Sequence, residues 1–213
     1  MKRINGFTCR SLFIVIFIIE QIGFNLFILK HTLISLILMV ISLIGALLLQ
    51  LWYQKIRNQK LDSLKKNFKF ILIALICLMI TVLIISVILN IAHVPLPEDQ
   101  QVIKSVGNNI FRKIEILFFI VIVAPVVEEG LFRTGIIGKS NHTVLLSLLS
   151  TFLIILGHLD AVNVSEVTLI FYSIQFGILG LTFCVLYCCT KDWRINTITH
   201  IIWNFISFLD LLF

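Results

Sequence analysis

The apolar residues of this chain come in several long blocks of roughly 20 residues, and no other feature limits its fold as strongly. A helix of that length spans the hydrocarbon core of a bilayer, which is about 30 Å thick. Apolar residues make up 59% of the 213 residues and charged residues only 13%. So few charges cannot cover the surface of a water-soluble globule. The sequence therefore excludes a soluble enzyme and a disordered regulator, and it predicts an all-α, polytopic transmembrane helical bundle.

Seven membrane spans can be drawn through these blocks. They lie at about 11–29, 32–53, 70–92, 114–136, 143–159, 167–189 and 195–213. Only Lys30-His31 separates the first two blocks, so a re-entrant first segment would leave six spans. Met1–Arg10 has the charged start of a signal peptide, but no small-residue cleavage site follows the first block. We therefore expect the first span to be retained.

The basic residues predict the orientation of these spans. With the N-terminus inside, the inner segments hold twelve Lys and Arg residues and the outer segments hold four. Segments rich in Lys and Arg face the cytoplasm. Six of the basic residues lie between Lys55 and Lys69, where an anionic inner leaflet is a more natural partner than nucleic acid. A cytoplasmic N-terminus and an outer C-terminus are expected.

A proline-containing linker, His93-Val-Pro-Leu-Pro-Glu-Asp-Gln-Gln, divides the chain into two parts. Pro95 and Pro97 end the third helix because proline has no amide hydrogen to donate. Residues 100–113 are mixed polar and apolar, which favours an amphipathic helix along the outer interface. We expect a three-span region of unknown role at 1–105 and a four-span catalytic core at 106–213.

The fourth span carries the most costly polar cluster, Glu128-Glu129-Gly130-Leu131-Phe132-Arg133. A charge inside a span costs a few kcal/mol, so each one needs a partner or a task. Glu129 and Arg133 are four residues apart on one helix face and can pair. Glu128 points about 100° away and has no basic residue one turn distant in either direction. An unpaired carboxylate in a cavity of low dielectric is a candidate general base; the alternative is a packing network that satisfies both glutamates.

Further polar residues stand in the later spans. His158 closes the fifth span, where a lone histidine is commonly a satisfied hydrogen-bonding residue. In the seventh span, His200 and Asn204 are four residues apart on one face. Both can donate hydrogen bonds to one point, as a developing oxyanion requires, or they can join two helices. Glu20-Gln21 in the first span is another costly pair, which we interpret as a contact between helices.

Three motifs in this order resemble those of one family. They are Glu-Glu-x-x-x-Arg at 128–133, a histidine that closes the next span at His158, and His-x-x-x-Asn at 200–204. The chain from about 106 to 210 resembles the CPBP family, which comprises CAAX prenyl proteases of the Ras-converting type and bacterial Abi or bacteriocin-processing proteins. Two positions depart from the family pattern: Ile154 stands where a phenylalanine is usual, and Thr134 replaces a glycine.

The resemblance implies a glutamic intramembrane endopeptidase that needs no cofactor and no metal. Glu128 and His158 would activate the attacking water, and Glu129 and Arg133 would fix the local geometry. His200 and Asn204 would stabilise the oxyanion. The implied partners are the lipid bilayer and a peptide, lipidated peptide or membrane-protein segment. The implied location is a cell membrane, the bacterial plasma membrane in the Abi branch.

Several alternatives stay open on the sequence alone. The same scaffold could be non-catalytic and serve in bacteriocin self-immunity or in the regulation of a membrane partner. Two glutamates and two histidines could bind zinc, although the nearby Arg133 disfavours a cation. The five cysteines lack CxxC spacing and are expected to be small buried hydrophobic residues. A transporter would be expected to show paired inverted segments, which the sequence lacks.

Overall fold

The computed structural model describes residues 6–30, 33–56, 64–91, 110–138, 140, 142–159 and 166–209. Within these ranges the chain is helical and has no strand, and it forms seven helical runs. They are α1 (Gly6–Lys30), α2 (Leu33–Ile56), α3 (Leu64–Ile91), α4 (110–137), α5 (Thr143–Leu159), α6 (Glu166–Thr190) and α7 (Trp193–Ser207). The prediction of an all-α transmembrane bundle is confirmed.

Four stretches in the described ranges are long and apolar enough to cross a membrane unaided: Cys9–Ile28, Leu33–Ile56, Leu64–Ile91 and Leu169–Thr190. α1 is one continuous helix of 25 residues, which is long enough to cross the hydrocarbon core. α7 has 15 residues, which is about 22 Å and shorter than the hydrocarbon core. The chain is a multi-pass membrane protein.

The surface of the bundle is apolar and part of its interior is polar. Large aliphatic side chains on α3 point outward, among them Ile73, Ile76 and Leu83. Polar side chains are buried instead, including Glu20 on α1 and Ser42 and Gln50 on α2. Lipid replaces water around a membrane protein, so polar groups are stable only where other protein groups surround them.

The helical run α4 changes its winding along its length. α-Helical turns at Ile110–Phe118 and Ala124–Glu129 alternate with π-helical turns at Phe119–Val123 and Gly130–Ile137. π-Helical turns are rare, and they occur frequently at functional sites. Residues 100–109 of the predicted interfacial helix lie outside the described ranges, and 110–113 continue directly into α4. The two π-helical segments therefore bracket the turn that carries Glu128 and Glu129.

Helix α1 runs antiparallel along α4. Near one end, the Arg10 Nε donates a hydrogen bond to the carbonyl of Gly135 at 3.0 Å. Further along, the rings of Phe17 and Phe132 meet edge-to-face, and the rings of Phe24 and Phe119 stack with centroids 4.3 Å apart. Residues of increasing number on α1 thus contact residues of decreasing number on α4.

The remaining helices complete the bundle around α4. Helix α3 packs against α6 and α7 in an apolar cluster that includes Leu78, Phe183, Ile195 and Trp203. Helix α2 packs against α1 and α4. The predicted boundary at 105/106 and the linker from His93 lie outside the described residues, so the division into two regions stays a prediction. In the described ranges, helices from both sides of that boundary share one core.

Gly130 lies where α1, α2 and α4 approach most closely, and a larger residue there should destabilise the bundle. A Cβ at Gly130 would stand 2.7 Å from Gln50 Nε2 and 2.8 Å from Phe13 Cε1. We expect Gly130→Ala to lower the free energy of unfolding by about 1–3 kcal/mol, because it overpacks the core. Thermal unfolding of the detergent-solubilised protein measures the effect.

Gly157→Ala is the matched control. A Cβ at Gly157, also inside a helix, would meet nothing within 4 Å. This substitution should leave stability unchanged or raise it by up to about 1 kcal/mol through helix propensity. Equal unfolding temperatures for the two variants would contradict the predicted packing.

Candidate active site

Glu129 is a buried acid, 1% exposed, whose carboxylate has three polar partners. Its Oε2 lies 3.2 Å from Arg133 Nε and accepts a hydrogen bond from Asn196 Nδ2 at 3.1 Å. Its Oε1 lies 3.1 Å from His200 Nδ1. Three donors around one carboxylate make it a fixed anion that joins α4 to α7, and its lone pairs are engaged in holding neighbours.

Arg133 is fully buried and connects three helices. In addition to its pairing with Glu129, its Nη1 donates to Ser150 Oγ on α5 at 2.6 Å and contacts Cys184 Sγ on α6 at 3.4 Å. The guanidinium also lies over the ring of Phe183, with Cζ 5.9 Å from the centroid. A planar guanidinium has five N–H donors, so it can satisfy several partners at once in a site without water.

His200 lies between the two glutamates. Its Nδ1 faces Glu129, and its Nε2 is 3.9 Å from Glu128 Oε2. A carboxylate only accepts hydrogen bonds, so the proton on Nδ1 points at Glu129 and Nε2 is the nitrogen left to face Glu128. The ring stacks on Phe183 with centroids 4.7 Å apart, which fixes its plane.

Glu128 has the less crowded environment of the two glutamates. Its side chain is 12% exposed, and its carboxylate reaches no donor in the described residues at hydrogen-bond distance. A polar contact of 3.9 Å is too long for a direct hydrogen bond, and it is a spacing that a bridging water can fill. Glu128 and His200 can therefore hold one water molecule between them.

Asn204 lies one turn beyond His200 on α7, and its amide is partly engaged. Its Nδ2 donates to the carbonyl of Ile120, in the first π-helical segment, at 2.9 Å. An amide nitrogen carries two hydrogens, so one donor remains for another acceptor. The sequence predicts that His200 and Asn204 donate to one point; in this structure their bonds run to different residues of α4.

His158 lies apart from the cluster around Glu129. Its Nδ1 bonds to the carbonyl of Ile154 at 2.9 Å, and its ring packs against Phe176 on α6 with centroids 4.3 Å apart. No described contact joins it to Glu128. Helix α5 packs against Gly130–Ile137 and against α6. The predicted pairing of Glu128 with His158 stays a prediction.

Sequence reasoning missed several residues that support this cluster. Asn196 is fully buried and donates both to Glu129 and to the carbonyl of Phe183. Its spacing from His200 matches that of His200 from Asn204, so the repeated four-residue interval was an available signal. Gln50 of α2, which donates to the carbonyl of Val126 at 2.8 Å, offered no such signal because its partner is distant in sequence.

The comparison with known families finds a match in the second half of the chain. Residues 110–206 match the family model described as type II CAAX prenyl endopeptidase Rce1-like. Over these residues the chain is similar to the Rce1-like family. The resemblance predicted from the three motifs is confirmed, and the family that it points to is one of membrane proteases. No curated protein and no solved structure matches the chain.

The Rce1-like match spans α4 to α7 and therefore includes every predicted site residue. The structure brings together Glu128, Glu129, Arg133 and His200. In the part of the chain that the structure describes, no group of three or more His, Cys, Asp or Glu side chains has the arrangement of a metal site.

Removing the charge of Glu129 should destabilise the whole bundle. Glu129→Gln leaves Arg133 as a buried cation without a counterion, which typically costs about 3–5 kcal/mol. We expect a lower unfolding temperature and less protein in the membrane, together with a loss of activity. Glu166→Gln, at an exposed position in the first turn of α6, is the control and should change neither quantity. An unchanged unfolding temperature for Glu129→Gln would show that the ion pair does not stabilise the fold.

Proposed function

We propose that this protein is a glutamic intramembrane endopeptidase of the CAAX type. It acts on a peptide, a lipidated peptide or a membrane-protein segment. The observation that carries the proposal is Glu128, which is an accessible carboxylate without a cation, placed 3.9 Å from a histidine that a second, fully bonded glutamate orients. The Rce1-like match over residues 110–206 supports peptide-bond chemistry in particular.

Glu128 is the proposed general base. It takes a proton from a water molecule held between its carboxylate and His200, and the water oxygen attacks the scissile carbonyl. The proton then passes to the departing amine, which completes hydrolysis to a carboxylic acid and an amine. Glu128 can do this because Arg133 and Asn196 are directed at Glu129 and not at the Glu128 carboxylate.

The oxyanion of the tetrahedral intermediate requires hydrogen-bond donors. The second N–H of Asn204 and the Nε2 of a protonated His200 are the proposed donors. The contact between Nδ1 and Glu129 holds the ring in the orientation that directs Nε2 toward Glu128. Glu129 and Arg133 act as positioning residues, and His158 is proposed as the second activating residue, as the family resemblance implies.

The proposed orientation places the N-terminus in the cytoplasm. One observation supports the alternating direction of successive spans, on which this orientation depends. Arg10, near the start of α1, bonds to Gly135 at the end of α4, and Tyr53, near the end of α2, lies at Gly138. The ends assigned to the inner side by the basic residues thus meet at one face of the bundle, where positive φ at Gly138 ends α4.

Site-directed labelling tests this orientation. Single cysteines at Lys60 and at Gln100, placed in a background without the native cysteines, should react from opposite sides of sealed membranes. We expect an impermeant thiol reagent to label position 60 only from the cytoplasmic side and position 100 only from outside. The reverse pattern would overturn the orientation without touching the proposed chemistry.

Glu128→Gln tests the proposed activity. The amide keeps the size of the side chain and its capacity for hydrogen bonds but cannot accept a proton. Removal of a general base lowers the rate by about 10²–10⁴-fold. We expect normal accumulation of the variant and this loss of turnover. The measurement is cleavage of a quenched fluorescent peptide with a farnesylated CAAX C-terminus by protein in lipid nanodiscs, normalised to the amount of folded protein.

Glu166→Gln, the exposed acid on α6, should keep full turnover in the same assay. A normally folded Glu128→Gln protein that cleaves the peptide at the wild-type rate would contradict the protease proposal. A non-catalytic scaffold, the rival that the sequence leaves open, would then be the better description.

A further inference from the structure

Glu20 of α1 is a buried acid that the mechanism above does not use, and it lies outside the matched residues 110–206. It is fully buried. Its Oε2 accepts a hydrogen bond from the neighbouring Gln21 Nε2 at 2.9 Å. Its Oε1 has no hydrogen-bond partner among the described residues. A buried carboxyl oxygen without a donor is costly, so this position needs an explanation beyond helix packing.

The antiparallel packing of α1 on α4 places Glu20 at the candidate active site. Phe17 meets Phe132 on one side of this level, and Phe24 meets Phe119 on the other. Glu20 lies between these two phenylalanines on α1, and Glu128 lies between their partners on α4. Helix α1 also packs directly against the turn Ala124–Glu129, so the two carboxyl groups lie at the same level of the bundle.

The charged groups around Glu20 offer it no cation. On α4 they are Glu128, Glu129 and Arg133, and the arginine is already paired with Glu129. Two contacts show which part of α2 lies at the level of Glu20. Gly23 of α1 lies against Met39 of α2, and Ile16 of α1 lies against Gly45 of α2. That level holds Ser42, whose hydroxyl donates to the carbonyl of Met39, and it holds no titratable residue.

Two carboxylates close together in a medium of low dielectric cannot both be ionised. Glu128 is partly exposed and can be solvated, whereas Glu20 is sealed from solvent. Of the two, Glu20 is therefore the better site for a proton, because the neutral acid avoids the penalty of an unpaired buried charge.

We propose that Glu20 is a positioning residue of the candidate active site, and that it stays a neutral carboxylic acid so that the pair with Glu128 carries a single negative charge. This inference rests on the proposed function, and it makes the singly ionised pair of Glu20 and Glu128 the active form. Loss of its first proton frees Glu128 as a base. Loss of the second creates a dianion whose repulsion disturbs Glu128, so activity falls again at high pH. The first helix, outside the family match, thereby completes the site.

The pH dependence of kcat/KM tests this role. With the farnesylated CAAX peptide as the probe, wild-type protein should give a bell-shaped profile whose alkaline limb falls about tenfold per pH unit. Glu20→Gln cannot lose the second proton, so its alkaline limb should move to a different pH, set only by the other groups of the site. Glu20→Asp keeps a carboxyl group and should keep the limb. A merely structural role would change the amount of folded protein without changing the shape of the profile.

Infrared spectroscopy of protein in lipid nanodiscs tests the protonation state without any activity. The carbonyl stretch of a protonated carboxylic acid should be present in the wild-type protein near neutral pH. It should be absent in Glu20→Gln and unchanged in the Glu166→Gln control, where the substituted acid is exposed. If Glu20→Gln does not fold, two other variants give the same information. The band should be lost in the double variant Glu20→Gln/Gly157→Ala, and it should shift in Glu20→Asp.

The outcomes separate this inference from the proposed function. Wild-type protein that does not cleave the peptide argues against the proposed function, and the infrared band then decides the state of Glu20 by itself. Cleavage with equal alkaline limbs in wild-type and Glu20→Gln proteins would overturn the role of Glu20 and leave the protease proposal intact. Absence of the band from the wild-type protein would overturn the neutral state.

Discussion

The buried ion pair between Glu129 and Arg133 is the interaction on which the rest of this structure depends. Its two side chains are 1% and 0% exposed, so neither charge is solvated. Such a pair is stable only where its geometry is good and further hydrogen bonds support it. Ser150 on α5 and Cys184 on α6 contact the arginine, and Asn196 on α7 donates to the glutamate. Polar contacts with this pair thereby hold four helices at one point.

The ion pair also separates the roles of two adjacent glutamates. Glu129 is surrounded by donors and serves as a fixed anion, and it directs one nitrogen of His200 toward itself. Glu128, one residue earlier, points to the less crowded side and faces the other nitrogen of the same ring. The flanking π-helical turns widen α4 on both sides of this pair and free the Ile120 carbonyl for Asn204. One helical turn thus holds both the structural acid and the reactive acid that the proposed mechanism requires.

Helices α1 and α2 are more than a covering for the part of the chain that matches the Rce1-like family. Phe13 and Gln50 fit against Gly130, where no side chain intervenes, and Gln50 bonds to the carbonyl of Val126. Because α4 carries charges, it is stable in a membrane only when other helices shield it from lipid. The N-terminal helices provide that shielding, and the proposed role of Glu20 follows from the same close approach.

Structural features that depend on short intervals along one helix could be predicted from the sequence. Apolar block length gave the all-α bundle, and the four-residue spacing gave the pairing of Glu129 with Arg133 and the separate direction of Glu128. Tertiary structure alone decided which helices meet. It joined Asn196 and His200 to Glu129, brought Gln50 and Glu20 to α4, and left His158 against Phe176. The physical reason is that helical periodicity fixes directions within a helix, whereas contacts between helices depend on their crossing, rotation and depth, which arise from the packing of all the side chains together.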